Sequence, residues 1–147
     1  MSKKESTAKK AAIIGYITAA LFAVVLVIPQ SRAVFKSLSG AHPYLMGFAK
    51  FALLATAGEL IAAYIANSAP TVPVKIAARF VIWGFIGVWI TFMMKVFSVA
   101  AAQMMASGLL PGGDSSFLRA LYTSVMMNTS FGPTFMAVHK CSDKWLE

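Results

Sequence analysis

The sequence predicts an all-α integral membrane bundle of four transmembrane helices, and three observations carry that prediction. First, 59% of the 147 residues are hydrophobic and only 12% are charged, whereas a soluble domain carries about 25% charged residues. Second, the stretch Arg79 to Gln103, RFVIWGFIGVWITFMMKVFSVAAAQ, has Arg79 and Lys95 as its only full charges. A hydrocarbon core takes about 20 mostly apolar residues in a helix, and lipid offers no partners to free backbone groups, so a lone run of this length must be helical. Third, most of the 13 Lys and Arg residues stand at the ends of apolar segments, where basic residues orient helices and meet anionic headgroups. The net charge of +8 therefore names the lipid bilayer as a partner and makes nucleic acid an improbable one. Residues 1–147 form one transmembrane domain on this reading, with nothing left over for an extramembrane one.

The elements follow in chain order. Residues 1–10, MSKKESTAKK, are a basic tail on the cytoplasmic side, and the first span covers 11–28, stopping at Pro29. Its 18 apolar residues exceed the roughly 7 to 15 of a cleavable signal, which favours a retained anchor. Gly15 and Ala19 stand four apart and are either a seam for another helix or simply part of an Ala-rich one. Between Pro29 and Pro43, Val34, Phe35 and Leu38 can make a short helix lying at the interface, beside Arg32 and Lys36.

The second span covers 44–66 and contains Lys50 and Glu59, nine residues apart and so on opposite sides of the helix. Glu59 shares its face with Ala52, Ala55, Thr56, Ala62, Ala63 and Ala66, and is expected to face protein. Lys50, among Leu53, Leu54, Ala57 and Tyr64, is expected to snorkel outward. Residues 67–75, NSAPTVPVK, read as a loop.

The third span covers 76–106 and closes at Gly108. On a helical wheel Gly84, Gly87, Thr91, Lys95, Ser98 and Ala102 make a small and polar stripe, with Phe80, Phe85, Phe92 and Met93 away from it. The breakers of Leu110 to Asp114 make a tight turn, and Ser115 or Ser116 can cap the next helix. The fourth span, 117–138, carries a second stripe of Ser124, Asn128 and Gly132, and Gly132-Pro133 is expected to kink it.

Basic residues set the orientation. The N-terminus, the Lys75/Arg79 hairpin and the C-terminal tail hold eight Lys and Arg residues, against Arg32, Lys36 and Arg119 on the other side. Both termini are thus expected in the cytoplasm, or on the matrix side of a mitochondrion.

Ionisable groups inside spans cost about 2.5 to 3.5 kcal/mol each on insertion scales, which makes Glu59 and Lys95 functional candidates. Glu59 lies about 10 Å above the lower end of its helix and Arg79 about 6 Å above the same end, a gap that an Arg side chain covers. Two readings of Glu59 stand: a structural ion pair with Arg79 bracing the hairpin, or a proton or solute site. Lys95 either snorkels or lines a water-filled cavity, and Asn128 is either interhelical glue or a ligand. His139, Cys141 and Asp143 make an incomplete metal site, and no metal or other cofactor is expected. The pairs Met93-Met94, Met104-Met105 and Met126-Met127 point different ways on a helix, which favours adaptable packing over a copper route. No GxSxG, HExxH or phosphate-binding glycine loop occurs, so the chain is not expected to be an enzyme.

The segments RFVIWGFIG (79–87) and MNTSFGPTFMAVH (127–139), with Asp143, resemble bacterial relatives of the Mpv-seventeen-like peroxisomal membrane protein family, loosely over 50–143. The Trp/Pro/Gln-rich signature that would follow residue 143 in that family is not in this sequence. The resemblance implies a four-helix protein of peroxisomal, mitochondrial or bacterial inner membranes, of a kind often proposed to form a small-solute channel. The family positions that match here are Asn128, Pro133, His139 and Asp143. Two functions are therefore carried forward. One is a small-solute channel, as a homo-oligomer, with Glu59, Lys95 and Asn128 nearest the path. The other is an accessory or anchor subunit packing against other membrane subunits.

Overall fold

The computed structural model describes residues 3–66, 72–73 and 75–146, with the backbone alone for Lys3, Lys4 and Leu146. Most of the described residues are helical and none lies in a strand: α1 (Lys3–Val27), α2 (Pro29–Ala41), α3 (Pro43–Ala66), α4 (Ile76–Ala106), α5 (Ser116–Met126), a π-helical turn (Met127–Phe131) and α6 (Gly132–Leu146). Most of the expected 67–75 loop lies outside the described residues.

Three stretches are long and apolar enough to cross a membrane: Glu5–Val27 in α1, with mean hydropathy 2.2, Pro43–Ala66 at 1.5 and Ile76–Ala106 at 1.9. Only 11%, 22% and 11% of their most apolar windows are buried inside the protein. Apolar surface left outward on this scale would be costly in water and costs nothing in lipid.

The chain packs as two compact units, Met1–Val88 and Trp89–Glu147, with the division inside α4. In the first unit, α1 starts within the basic tail, because no breaker separates Lys3 from Ile28; Glu5 in its first turn suits the positive end of the helix dipole. Pro29 ends α1 and opens α2, where a missing N–H costs nothing. The hydroxyl of Ser31 donates to the carbonyl oxygen of Val25 at 2.8 Å, satisfying one acceptor that the end of α1 leaves open. Pro43 repeats the device: His42 donates its N–H to the oxygen of Leu38 at 2.8 Å, closing α2, and its own carbonyl accepts from Met46 at 2.9 Å, opening α3.

Small residues make the helix contacts of this unit. A Cβ on Gly15 would stand 2.8 Å from the Ala57 carbonyl oxygen of α3, and Ala8 and Ala12 are buried on the same side of α1. Of the two positions the sequence marks on this helix, only Gly15 is in the seam; Ala19 is exposed. Gly84 of α4 lies under the Phe48 ring, and Gly87 lies against the Gly47 carbonyl and within 2.6 Å, at its missing Cβ, of Phe51 Cβ. Lipid is as apolar as a Leu side chain, so contact area gained by close backbone approach drives such packing.

In the second unit, α4 closes where Gly108 takes the left-handed conformation (φ +78°). Its N–H donates to Met105 and that of Leu110 to Met104, at 3.1 and 3.0 Å, which satisfies two terminal carbonyls. Ser115 caps α5, its hydroxyl accepting from the Leu118 N–H at 3.4 Å, and Tyr122 donates to the Pro111 carbonyl at 3.1 Å, fastening the turn to α5. Ala101, Met105, Thr123 and Met127 are the buried positions here.

The segment expected as a fourth span, 117–138 with a kink at Gly132-Pro133, is divided between α5, the π turn and α6, none of which reaches spanning length alone. Pro133 is the reason. In an α-helix its ring would press on the carbonyl four residues back and would leave that carbonyl without a donor. Widening the preceding turn relieves the crowding: the Gly132 N–H donates five residues back, to Met127.

Candidate functional site

Glu59 is the centre of the polar cluster in the first unit. It projects from the C-terminal half of α3, and the opening turns of α4 bring two donors to it. Arg79 Nη1 lies 3.5 Å from Glu59 Oε1, and the Trp83 indole N–H donates to the same oxygen at 2.8 Å. The side chains of Glu59 and Arg79 are 18% and 13% exposed, so water screens the pair little. The Arg contact exceeds the roughly 2.7 to 2.9 Å of a charge-assisted hydrogen bond. The indole makes the short bond, and Arg79 supplies the opposing charge.

Trp83 is a partner that the sequence did not single out. Its signal was available: Arg79, Trp83 and Gly87 recur every four residues and share a face. An indole N–H in an apolar segment also needs an acceptor, and Glu59 is the one carboxylate within the second or third expected span. The other oxygen, Glu59 Oε2, is buried without a hydrogen-bond partner among the described residues, and so is Thr56 Oγ1, three residues earlier on the same face of α3. Two polar atoms with unmet capacity thus stand one turn apart on a helix of spanning length.

Lys50 does not simply point outward. Its ammonium sits 5.6 Å from the centroid of the Phe35 ring on α2, because α2 folds back over α3 and offers an aromatic face to the end of the side chain.

In the second unit Lys95 is exposed. The stripe it belongs to serves as a packing seam in the first unit, where Gly84 and Gly87 are buried, while Ser98 and Ala102 are half-buried. Asn128 is also exposed, in the π turn, and its amide donates to the Ser124 carbonyl at 2.8 Å and lies 3.4 Å from the Ser124 hydroxyl. The hydroxyls of Thr129 and Ser130 likewise donate to carbonyls one turn back. Such back-bonding occupies donors that lipid could not satisfy. Gly132 and Pro133 act together in the register change described above. On α6, His139 Nε2 lies 3.5 Å from Asp143 Oδ2, Phe131, Phe135 and His139 stack in a ladder, and Cys141 is exposed.

Clefts are found in both units among the described residues. One, of about 510 Å³, lies in the first unit beside Lys50. Another, of about 120 Å³, lies in the second beside Asp114 and Arg119. Neither is lined by Glu59, Lys95 or Asn128. No protein family matches the chain, and no curated protein or solved structure matches it either.

Proposed function

We propose that this chain is a non-enzymatic, multi-pass membrane protein that forms a pathway for small solutes as an assembly of several copies. The observation that carries the proposal is the pair of buried, unmet polar atoms, Thr56 Oγ1 and Glu59 Oε2, on the small-residue face of α3. Unmet polar groups in a spanning helix are costly unless water or a polar solute reaches them. The exposed Lys95 and Asn128 put further polar groups on the surface of a single copy, where a second copy can enclose them. The 31 residues from Ser116 to Leu146 extend about 46 Å at 1.5 Å per residue and on this reading provide a fourth crossing. Kinship with the Mpv-seventeen-like proteins, and with it a bacterial inner, mitochondrial or peroxisomal membrane, belongs to the same proposal.

Lys95 sets the test. A cation lining the path favours anions, so the wild type in liposomes passes small anions faster than cations, and Lys95→Glu reverses that order while the fold survives. Absence of conduction, or unchanged selectivity in the mutant, removes the pathway.

A second reading, an accessory or anchor subunit, is favoured by the back-bonded Asn128, Thr129 and Ser130, which tolerate a dry protein or lipid contact. Mass measurement after purification in mild detergent separates the two. Copies of this chain alone support the pathway, and stoichiometric foreign subunits support the anchor.

A further inference from the structure

The larger cleft has a composition that neither functional reading uses. Phe22 and Leu26 of α1, Phe35 of α2, and Phe51 and Leu54 of α3 surround it, and Lys50 brings a cation to an otherwise apolar wall. Its volume of about 510 Å³ lies within the range of roughly 300 to 1,000 Å³ typical of small-molecule sites.

Among the described residues of the first unit, no carboxylate answers Lys50. The first unit contains two acidic residues, Glu5 and Glu59. Glu59 is nine residues away on the opposite side of α3 and engages Arg79 and Trp83. Glu5 stands 17 residues before Phe22 on α1, about 25 Å along the axis. The Phe35 ring meets the ammonium from one side, but its three N–H donors engage no acceptor among the described residues. Arg32 and Lys36, exposed on α2 without an acidic neighbour on that helix, extend the positive field from the cleft to the surface. An apolar groove ending in an unanswered cation, beneath a basic amphipathic helix, is complementary to an anionic amphiphile.

We propose that this cleft binds one acyl chain of an anionic phospholipid from the surrounding bilayer, with the phosphate held at Lys50. The proposal needs the membrane location and not the solute pathway. It also explains a feature of the α1 packing: the close seam at Gly15 is not continued at Ala19, and the wall of the cleft begins one turn further on, at Phe22.

Trp83 lines the cleft and supplies the reporter. With Trp89→Phe and Trp145→Phe, it is the single tryptophan, and lipids brominated on the acyl chain quench it on contact. In vesicles of fixed total lipid, brominated phosphatidylglycerol should quench Trp83 at about fivefold lower mole fraction than brominated phosphatidylcholine, the preference one lysine at a membrane surface provides. Lys50→Met, which keeps length and removes charge, should abolish the preference, and Lys50→Arg should retain it. Equal quenching by the two lipids in the wild type overturns the proposal, as does a preference that survives Lys50→Met. Quenching by brominated stearate without quenching by phosphatidylglycerol assigns the cleft to a free fatty acid and overturns it too. Should Lys50→Met fail to fold, the wild-type comparison and Lys50→Arg still decide, since an unselective wild type or an unselective Arg variant sinks the phosphate contact.

Discussion

Removing the charge of Glu59 tests whether the α3/α4 hairpin is braced by its polar cluster. Glu59→Gln keeps the shape and an acceptor for the Trp83 indole, so it isolates the charge facing Arg79. Breaking a fully buried pair costs about 3 to 5 kcal/mol, and an exposed pair is worth about 0 to 1 kcal/mol. With side chains 18% and 13% exposed and a gap of 3.5 Å, this pair falls between those limits, at about 2 kcal/mol. Trp83→Phe removes the 2.8 Å hydrogen bond and costs about 1 kcal/mol, within the range measured between membrane helices. Because both donors converge on Oε1, the losses are not independent. The double variant Glu59→Leu/Arg79→Leu should cost at least about 1 kcal/mol less than the sum of its singles, and exchanging the residues, Glu59→Arg with Arg79→Glu, should recover part of the loss. Thermal unfolding in mild detergent reads these differences at about 4 °C per kcal/mol for a chain of this length. Strictly additive losses for Glu59 and Arg79, or a Trp83→Phe variant as stable as the wild type, would refute the brace.

Three further outcomes follow from the packing and the register. Gly87→Leu forces a side chain into the Gly47 carbonyl and Phe51 and should cost about 2 kcal/mol or more, whereas Gly58→Ala, with open space around it, should be neutral or gain up to about 1 kcal/mol; detergent unfolding compares them, and equal effects would deny the seam. Pro133→Ala restores an N–H and removes the ring, so the π turn should relax to α-helix; slower hydrogen exchange of amides 130–134 reports it, and unchanged exchange would show that something other than the proline holds the turn. For orientation, with Cys141→Ser, a cysteine at the exposed Ser116, which spares the Ser115 cap, should react with an impermeant maleimide in intact cells, while one at Ser6 should not; the opposite pattern inverts the topology.

What was legible in the residues was local. Helix α4 occupies Ile76–Ala106 and α3 begins at Pro43, because apolar runs, prolines and the Gly108 stop act on the chain within a turn or two, and the Ser115 cap answers N–H groups only a few residues away. The Glu59 and Arg79 side chains meet where rise per residue alone places them, since a hairpin aligns depths by arithmetic. The sequence left two readings open at Gly15 and Ala19, and Lys50 had a direction but no partner. These depended on where a second helix crosses the first, information held jointly by residues some 40 positions apart, as Gly15 and Ala57 are. Trp83 was passed over for the same reason: its periodicity with Arg79 was visible, but only the packed hairpin put its indole within 2.8 Å of a carboxylate. The fourth segment shows the limit most directly. Composition marked 117–138 as one apolar run and Pro133 as its weak point, yet a bend, a break or a widened turn all relieve a proline. The backbone chose the widened turn at Met127–Phe131, where the side chains of Asn128, Thr129 and Ser130 bond to carbonyls one turn back. Which relief is least costly depends on how every carbonyl around the proline is satisfied at once, and that sum is settled only in three dimensions.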